Sequence, residues 1–490
     1  MITSTLELFV KKHNLFYVLT FSFLVIALPA WSQQRPNIIV FIADDAGWRD
    51  FGCYGNSAIK TPHIDQLAKQ GTKFNQAFLT TPQCSPTRTS LLSGQFAHTI
   101  RTEDLHSPLE ESVVIIPDQL KAAGYYTALL GKSHLGQEAT NKFDAFFPGQ
   151  GNPMPQDFAK VLSSSTESPF FAWYAFIDPH RDYQENTIAD PHDPANVIVP
   201  PYLADTPDTR KDLAMYYDEI ARMDRNIGEV LRMLKEEGKR NNTLIFFMSD
   251  NGKPFTRAKG TLYDEGIKTP FLAVWPGRIR PGSTKEALTS MIHLAPTILE
   301  AAGVEKGENM YGQSLLPLMF GQSVESDDFV FAERNWHDCD EHMRSVRSDS
   351  FKLIYNAYIE WPHGTAADLA GSLAHQSLLA LKKEGKLSAE QSLIFQSPRP
   401  VIEFYNVKED PWEFNNLAYD AQYRPLIQKH MKALMGWMET TDDFDPHFRR
   451  RYDNTDRVTG TIFMMGRPGV YNELKKEEES YLKRKLESTF

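Results

Sequence analysis

A chain of 490 residues with 41% hydrophobic content can bury a large core and has room for two or three domains. Its 63 Asp and Glu exceed its 52 Lys and Arg, and the formal charge of -11 argues against broad attraction to nucleic acid or to an anionic membrane. An anionic ligand would therefore need a local cluster of cations. Three cysteines, Cys53, Cys84 and Cys339, are too few for a disulfide scaffold, so we expect Cys53 and Cys339 to be buried thiols or to form one bridge.

The N-terminus has the pattern of an export signal. Lys11 and Lys12 precede an apolar stretch over residues 15–28, and Pro-Ala-Trp-Ser follows it. This pattern predicts a signal peptide over residues 1–32 and a secreted or periplasmic mature chain that begins near Gln33. The apolar stretch is short for a membrane span and no later segment approaches the necessary length, so we expect no membrane contact after cleavage. An uncleaved signal anchor is the weaker alternative.

Apolar β-rich runs alternate with amphipathic stretches through the first two thirds of the chain, which is typical of an α/β fold. Buried strands are predicted at residues 37–43, 126–130, 170–177 and 243–248. Helices are predicted between them at residues 61–70, 117–123 and 212–237.

The pattern changes after about residue 328. Shorter strand-like pieces at 343–355 and 401–405 surround a helical insertion over 366–395, and the charged run 473–487 predicts a solvated surface helix. We therefore expect a catalytic α/β domain over residues 33–328. A smaller α+β subdomain with a charged helical tail should follow over residues 329–490.

Chemically complementary side chains follow the four predicted strands. Oxygen ligands follow the first and fourth strands, and cations or proton carriers follow the second and third. These residues are Asp44 and Asp45, Asp250 and Asn251, Lys132 and His134, and Asp178, His180 and Arg181. Because ligands of open α/β sheets bind beyond the carboxyl ends of the strands, the four strand ends predict one shared site.

The segment from Cys84 to Gly94, Cys-Ser-Pro-Thr-Arg-Thr-Ser-Leu-Leu-Ser-Gly, is a distinctive motif. Pro86 suits the first position of a helix, which places Cys84 at a helix N-terminus, where anions are stabilised. Asp44 and Asp45 end a buried strand, where uncompensated carboxylates are costly, so a metal ion is expected there. Oxygen donors without Cys or His beside them favour calcium or magnesium over zinc, and we expect calcium.

These motifs together resemble those of type I sulfatases of the alkaline phosphatase superfamily, and the resemblance covers most of the mature chain. It is carried by the segments at residues 35–45, 61–65, 84–94, 124–136, 178–180, 249–252, 258–261, 405–411 and 416–418. The resemblance implies a large mixed β-sheet flanked by helices. It also implies that a maturation enzyme oxidises Cys84 to formylglycine, whose hydrated aldehyde supplies the nucleophile.

The resemblance assigns roles to particular residues. One Ca²⁺ would be held by Asp44, Asp45, Asp250, Asn251 and the modified Cys84. Arg88 would hold the formylglycine, Lys132 and Lys259 would bind sulfate oxygens, His134 would serve the formylglycine hydroxyl, and His180 would protonate the leaving group.

Within the family, the subgroup that contains heparan N-sulfatase is similar at residues 56–63, 178–181 and 343–346. The segment 259–266 departs from that subgroup and follows the pattern of ester sulfatases. We therefore expect an O-sulfated carbohydrate substrate, such as an ulvan, carrageenan or glycosaminoglycan fragment, with N-sulfoglucosamine second. A phosphonate or phosphodiester hydrolase and a non-catalytic sugar-binding protein with an unoxidised Cys84 remain the alternatives.

Sugar recognition is predicted on loops that rim the pocket. The candidate residues are Asp178, Arg181, Arg334, Trp336, His337 and His342. Histidine, tryptophan and arginine in one short segment combine ring stacking with directed hydrogen bonds. An ordinary surface loop with a packed tryptophan explains the same segment equally well.

Overall fold

The computed structural model describes residues 35–322 and 326–443. The predicted signal peptide and the predicted charged helix at 473–487 lie outside these residues. In the described part, no helix is both long and apolar enough to cross a bilayer. Cys53 and Cys339 are half-buried free thiols, so of the two alternatives the structure has separate thiols and not a bridge.

Eight strands form one mixed sheet in the order β5-β4-β6-β1-β7-β8-β2-β9, in which β8 runs antiparallel to both of its neighbours. Their bounds are β1 Asn37–Ala43, β2 Thr72–Phe74, β4 Tyr126–Gly131, β5 Ala145–Phe147, β6 Phe170–Ala175, β7 Thr243–Ser249, β8 Phe271–Val274 and β9 Ser283–Lys285. A second, two-stranded sheet pairs β3 Ala77–Phe78 with β10 Thr289–Ser290. All four strands predicted from apolar runs are present, within two residues of their predicted ends.

The continuous apolar sequence of β1 reflects burial on both of its faces. Ile38, Val40 and Ile42 pack into one hydrophobic core, while Ile39 and Phe41 pack into a second core across the sheet. Successive side chains of a strand point to opposite faces, so a central strand covered by helices on both sides has no polar face.

Helices cover the sheet on both sides. They are α1 Pro62–Gln70, α2 Cys84–Ser93, α3 Ile116–Ala122, α4 Gln137–Asn141, α5 Pro155–Ser164, α6 Pro207–Glu236, α7 Asp264–Ile267, α8 Leu294–Ala301 and α9 Leu316–Met319. Short 3₁₀ turns lie at Gly52–Tyr54, His98–Ile100, Pro194–Asn196, Arg240–Asn242, Met291–His293, Leu393–Phe395 and Ala421–Tyr423.

Two helices begin two or more residues earlier than the sequence predicted. Helix α6 begins five residues before the predicted start, at Pro207, where Thr206 accepts a hydrogen bond from the amide of Thr209. Helix α2 begins at Cys84 itself, which leaves Pro86 at the third helical position. Proline is tolerated there because amides of the first turn have no partner within the helix.

A smaller antiparallel sheet, β11-β12-β13-β14, forms the C-terminal subdomain. Its strands are β11 Val330–His337, β12 Cys339–Arg347, β13 Phe351–Asn356 and β14 Ile402–Asn406, and α13 Arg424–Thr440 packs against them. The segment that was predicted as a surface loop around Arg334 to His342 is instead the β11–β12 hairpin, with its turn at Asp338. Both strands are buried along almost their whole length although many of their residues are polar, so no apolar pattern in the sequence marks them as strands.

The insertion between β13 and β14 is helical, as predicted. It contains α10 Ala367–Ala370, α11 Leu373–Lys383 and α12 Ala389–Ser392. Ala374 and Leu378 of α11 join the same hydrophobic core as α6. The longest helix of the insertion, α11, therefore packs onto the main domain.

Candidate active site

The four strand ends that carry the predicted site residues lie side by side. Strands β4, β6, β1 and β7 are neighbours and run parallel, so their carboxyl ends meet at one edge of the sheet. Helix α2 begins at the same edge. Residues separated by more than 200 positions are thereby brought together, as the bond from the Asp45 amide to Asp250 Oδ1 at 3.1 Å illustrates.

A buried acidic cluster lies where β1 and β7 end. Ligand atoms of Asp44, Asp45, Asp250 and Cys84 all lie within 4.8 Å of one another, and all four residues are buried. Burial, aided by the charge of Asp44, raises the pKa of Asp250 to about 7. Like charges held this closely in a buried place favour a cation between them.

The donor set fits a hard metal ion. Asn251 donates through Nδ2 to Asp45 Oδ1 at 2.6 Å, and its own Oδ1 is buried without a hydrogen-bond partner among the described residues. Three clustered carboxylates with a side-chain amide beside them offer the oxygen ligands that calcium and magnesium prefer. The cluster can therefore hold a metal ion.

Cys84 lies at the N-terminus of α2, against this cluster. Its Sγ is 3.4 Å from Asp44 Oδ1 and 3.8 Å from Asp45 Oδ1. Burial raises the pKa of the thiol well above its ordinary value, although Lys132 opposes this shift. Gln83, which precedes the helix, is held by a bond from its Nε2 to the carbonyl of Trp336 at 2.7 Å. Gly94 ends the helix with φ of 66°, a left-handed conformation that suits glycine.

Three cations surround the acidic cluster. Arg88, one turn into α2, donates from Nε to Asp250 Oδ2 at 2.8 Å and is fully buried. Lys132 is paired with Asp44, and Lys259 Nζ lies 2.7 Å from Asp45 Oδ2. Three carboxylates thus face three cations, and the addition of a divalent metal ion would give this group a net positive charge. An anionic group would then be attracted to this edge of the sheet.

Two predicted histidines border the cluster in different ways. His180 bonds through Nδ1 to the carbonyl of Arg181, so its Nε2 faces the site, 3.8 Å from Asp45 Oδ2. His134 Nε2 lies 2.7 Å from Nδ1 of His106. Burial, with the Lys132 charge adding to it, lowers the pKa of His134 well below its ordinary value, so its imidazole is neutral.

Two residues at the site were missed by sequence reasoning. His106 contacts His134, and its amide donates to the hydroxyl of Ser85, beside Cys84, at 2.8 Å. Asp368, in the helical insertion, contacts Lys259 and His180. Neither lies in a motif or after a predicted strand, so no local pattern marks them.

The six candidate sugar-binding residues occupy unequal positions. Asp178 is buried and pairs with Arg222 through two bonds of 2.6 and 2.9 Å. Arg181 forms a two-point ion pair with Asp212. Trp336 and His342 are fully buried in the β11–β12 hairpin.

Arg334 and His337 lie nearer to the cluster. All three guanidinium nitrogens of Arg334 are buried without a hydrogen-bond partner in the described part of the chain. A Cβ atom placed on Gly260, next to Lys259, would lie 3.1 Å from Arg334 Nη1. His337 bonds through Nδ1 to Asp338 at 2.9 Å.

The chain belongs to the sulfatase family, whose sequence model matches residues 36–155 and 152–304. It is accordingly a sulfuric ester hydrolase. A second model, described as "N-sulphoglucosamine sulphohydrolase, C-terminal", matches residues 256–364.

Known proteins resemble the chain over most of its length. Human N-sulphoglucosamine sulphohydrolase is 31% identical and covers 84% of this chain and 91% of the relative. An ulvan-active sulfatase of Formosa agariphila is 29% identical, with coverages of 84% and 81%. A protein solved with its substrate D-glucosamine-2-N,6-O-disulfate shares the fold with a TM-score of 0.65 at 21% identity, covering 84% of this chain and 99% of that one.

Proposed function

We propose that this chain removes sulfate esters from an O-sulfated carbohydrate, such as an ulvan, carrageenan or glycosaminoglycan fragment. The nucleophile would be a formylglycine derived from Cys84, and one Ca²⁺ would assist it. The observation that carries this proposal is the buried cluster of Asp44, Asp45, Asp250 and Cys84 at the N-terminus of α2. The names of the relatives refer to carbohydrate substrates, which supports the choice of substrate class.

Asp44, Asp45, Asp250 and Asn251 would hold the Ca²⁺, together with the oxygen that replaces the Cys84 thiol. When present, the formylglycine supplies a nucleophilic hydroxyl, and the metal ion supplies positive charge next to it. The α2 N-terminus adds unpaired amides and the positive end of the helix dipole.

Sulfate binding, positioning and proton transfer would be carried out by side chains of the chain itself. Lys132 and Lys259 would turn from their carboxylate partners to oxygens of the sulfate and stabilise charge that develops there. Arg88 would fix Asp250 and the backbone of Lys132, whose carbonyl it contacts at 3.1 Å. His180 would deliver a proton from Nε2 to the departing alcohol oxygen, and neutral His134 would accept the proton whose loss releases sulfate.

N-sulfoglucosamine is the second candidate substrate. The match of the C-terminal model and the 31% identity with the human N-sulphoglucosamine sulphohydrolase favour it. Against it stands the segment from Lys259 to Gly266, which follows the ester sulfatase pattern.

A phosphonate or phosphodiester hydrolase with two metal ions is a third possibility. Asp45, His180 and Asp368 could by themselves ligate a second ion, because their ligand atoms lie within 4.8 Å of one another. However, Lys259 Nζ already lies 2.7 Å from both Asp45 Oδ2 and Asp368 Oδ2. This ammonium occupies the position that a second cation would take, which favours a site with one metal ion.

Among the predicted sugar-binding residues, Arg334 has the strongest support. A buried guanidinium without a partner is costly, and an anionic or hydroxyl group of the substrate would offset that cost. His337 would act beside it. Asp178, Arg181, Trp336 and His342 would act through packing and ion pairs that shape the pocket. We further propose that the chain is exported and that a maturation enzyme modifies Cys84.

The experiment is a substrate screen on protein matured together with a formylglycine-generating enzyme. Mass analysis of the Cys84 peptide should show the aldehyde in place of the thiol. Sulfate release from O-sulfated sugars should then exceed release from N-sulfoglucosamine and cleavage of a phosphonate monoester. Release from N-sulfoglucosamine alone would favour the second candidate. Failure of matured protein to act on any substrate would leave a sugar-binding protein without catalysis.

A further inference from the structure

Asp368 reaches the active site from the helical insertion. Its Oδ2 lies 2.7 Å from Lys259 Nζ and 3.5 Å from His180 Nε2. These are the cation proposed to bind sulfate and the proposed proton donor to the leaving oxygen. Asp368 therefore lies where the sulfated carbon of a substrate and its neighbouring substituents would be placed.

The position of this carboxylate is built into the fold. Asp338, at the turn of the β11–β12 hairpin, accepts a bond from the amide of Ala367 at 2.7 Å and holds the start of α10. The next residue of this short helix, Leu369, is buried in the interior. Burial alone would raise the pKa of Asp368, but Lys259 and the neighbouring histidines bring it below its ordinary value, so the carboxylate is charged.

One oxygen of Asp368 has no partner in the protein. Oδ2 takes the contacts with Lys259 and His180, whereas Oδ1 is buried without a hydrogen-bond partner among the residues that the structure describes. Asp368 also lines a cleft of about 520 Å³ together with His180 and Arg181. A carboxylate oxygen can only accept hydrogen bonds, so its natural partner is a hydroxyl or an amide N–H.

We propose that Asp368 is a specificity-determining residue that accepts a hydrogen bond from a hydroxyl or N–H group beside the scissile sulfate and disfavours a second sulfate there. This inference rests on the proposed sulfatase function. A hydroxyl satisfies the free oxygen, whereas a second sulfate would bring like charges together at short range in a partly buried cleft. The favoured substrate is therefore monosulfated at this position.

The test compares three substrates in three proteins. One substrate is a monosulfated glycoside that the wild type hydrolyses. Its counterparts carry a second sulfate on one or the other neighbouring carbon. The proteins are the wild type, Asp368→Asn and Glu185→Gln, the last being a control because Glu185 lines the same cleft but pairs with Lys211 at 2.5 Å.

The measured quantity is the ratio of kcat/KM for the monosulfated over the disulfated substrate. The wild type should prefer the monosulfated substrate over at least one of its two disulfated counterparts. In Asp368→Asn the ratio for that pair of substrates should fall about 10-fold or more, which is the usual effect of a charge-assisted contact. The ratio cancels any general loss caused by the disturbance of Lys259 and His180. Glu185→Gln should keep the wild-type ratio.

An unchanged ratio in Asp368→Asn, for both counterparts, would overturn the inference. So would an equal fall in Glu185→Gln, because it would indicate a general effect of negative charge in the cleft. If Asp368→Asn is unfolded, Asp368→Glu, which keeps the charge and moves the acceptor, should alter the same ratio. A wild type that releases no sulfate from any sugar would instead contradict the proposed function.

Discussion

Replacing Arg181 by alanine separates two explanations of why an arginine follows His180. The guanidinium pairs with both oxygens of Asp212, at 2.7 and 2.9 Å, and its Nε donates to the carbonyl of Pro254 at 2.9 Å. Its side chain is 5% exposed and that of Asp212 is 1% exposed. The structure thus favours an anchor that joins the strand end to α6, whereas the sequence predicted a contact with sugar.

The expected loss of stability follows from the buried Asp212 carboxylate, which the substitution leaves without its ion-pair partner. In Arg181→Ala the Asp212 carboxylate would stay buried, with the amide of Ala374 at 3.0 Å as a remaining donor. Removal of one partner of a buried ion pair costs about 3–5 kcal/mol. Because one oxygen of Asp212 keeps that donor, we expect the free energy of unfolding to fall by about 3 kcal/mol, at the lower end of the range.

Chemical denaturation monitored by tryptophan fluorescence measures this loss. The matched control is Arg210→Ala, since Arg210 forms a two-point pair with Asp205 of 2.5 and 2.7 Å at the exposed end of the same helix. No measurable destabilisation is expected there. Both variants should keep the wild-type ratio of kcat/KM for an oligosaccharide over a small aryl sulfate. A loss below about 1 kcal/mol in Arg181→Ala, with activity lost on the oligosaccharide alone, would refute the anchor and assign Arg181 to the sugar site.

Three further perturbations test the site and the fold. Cys84→Ser should abolish repeated turnover in a sulfate-release assay while the unfolding midpoint stays near that of the wild type, and sustained turnover by the purified variant would rule out formylglycine as the nucleophile. Asp250→Ala should lose bound calcium in elemental analysis after gel filtration, because one of three carboxylates is removed, and full occupancy would mean that the metal site is misassigned. Burial lowers the pKa of His98, but the charge of Glu333 and its hydrogen bond together bring the pKa of His98 above its ordinary value. Burial likewise raises the pKa of Glu333, but the charge of His98 and its hydrogen bond lower that pKa to about 2. The contribution of His98 to stability is therefore full below its unfolded pKa of about 6.5 and is lost as pH rises through the folded value, so His98→Gln should destabilise the protein more at pH 6 than at pH 9. Equal destabilisation at both pH values, measured by denaturation, would contradict this coupling.

The central part of the fold and the location of the site could be predicted from the sequence. The apolar runs that became β1, β4, β6 and β7 are continuous because these strands are covered on both faces, and burial of that kind leaves a local pattern. Polar residues directly after such runs lie at the sheet edge by necessity. The meeting of these strand ends at one edge of the sheet could therefore be predicted without knowledge of distant contacts.

Only the tertiary structure decided which side chains near that edge are available to a ligand. Arg181 follows a predicted strand end but is engaged by Asp212 from α6, and Trp336 is buried in a hairpin that was predicted as a loop. Asp368 carries no local mark, and it reaches Lys259 because the insertion packs against α6. Backbone periodicity and turn residues record the local hydrogen-bonding pattern of a chain. The partner of a charged side chain depends instead on how separate elements pack, which the order of residues along the chain does not encode locally.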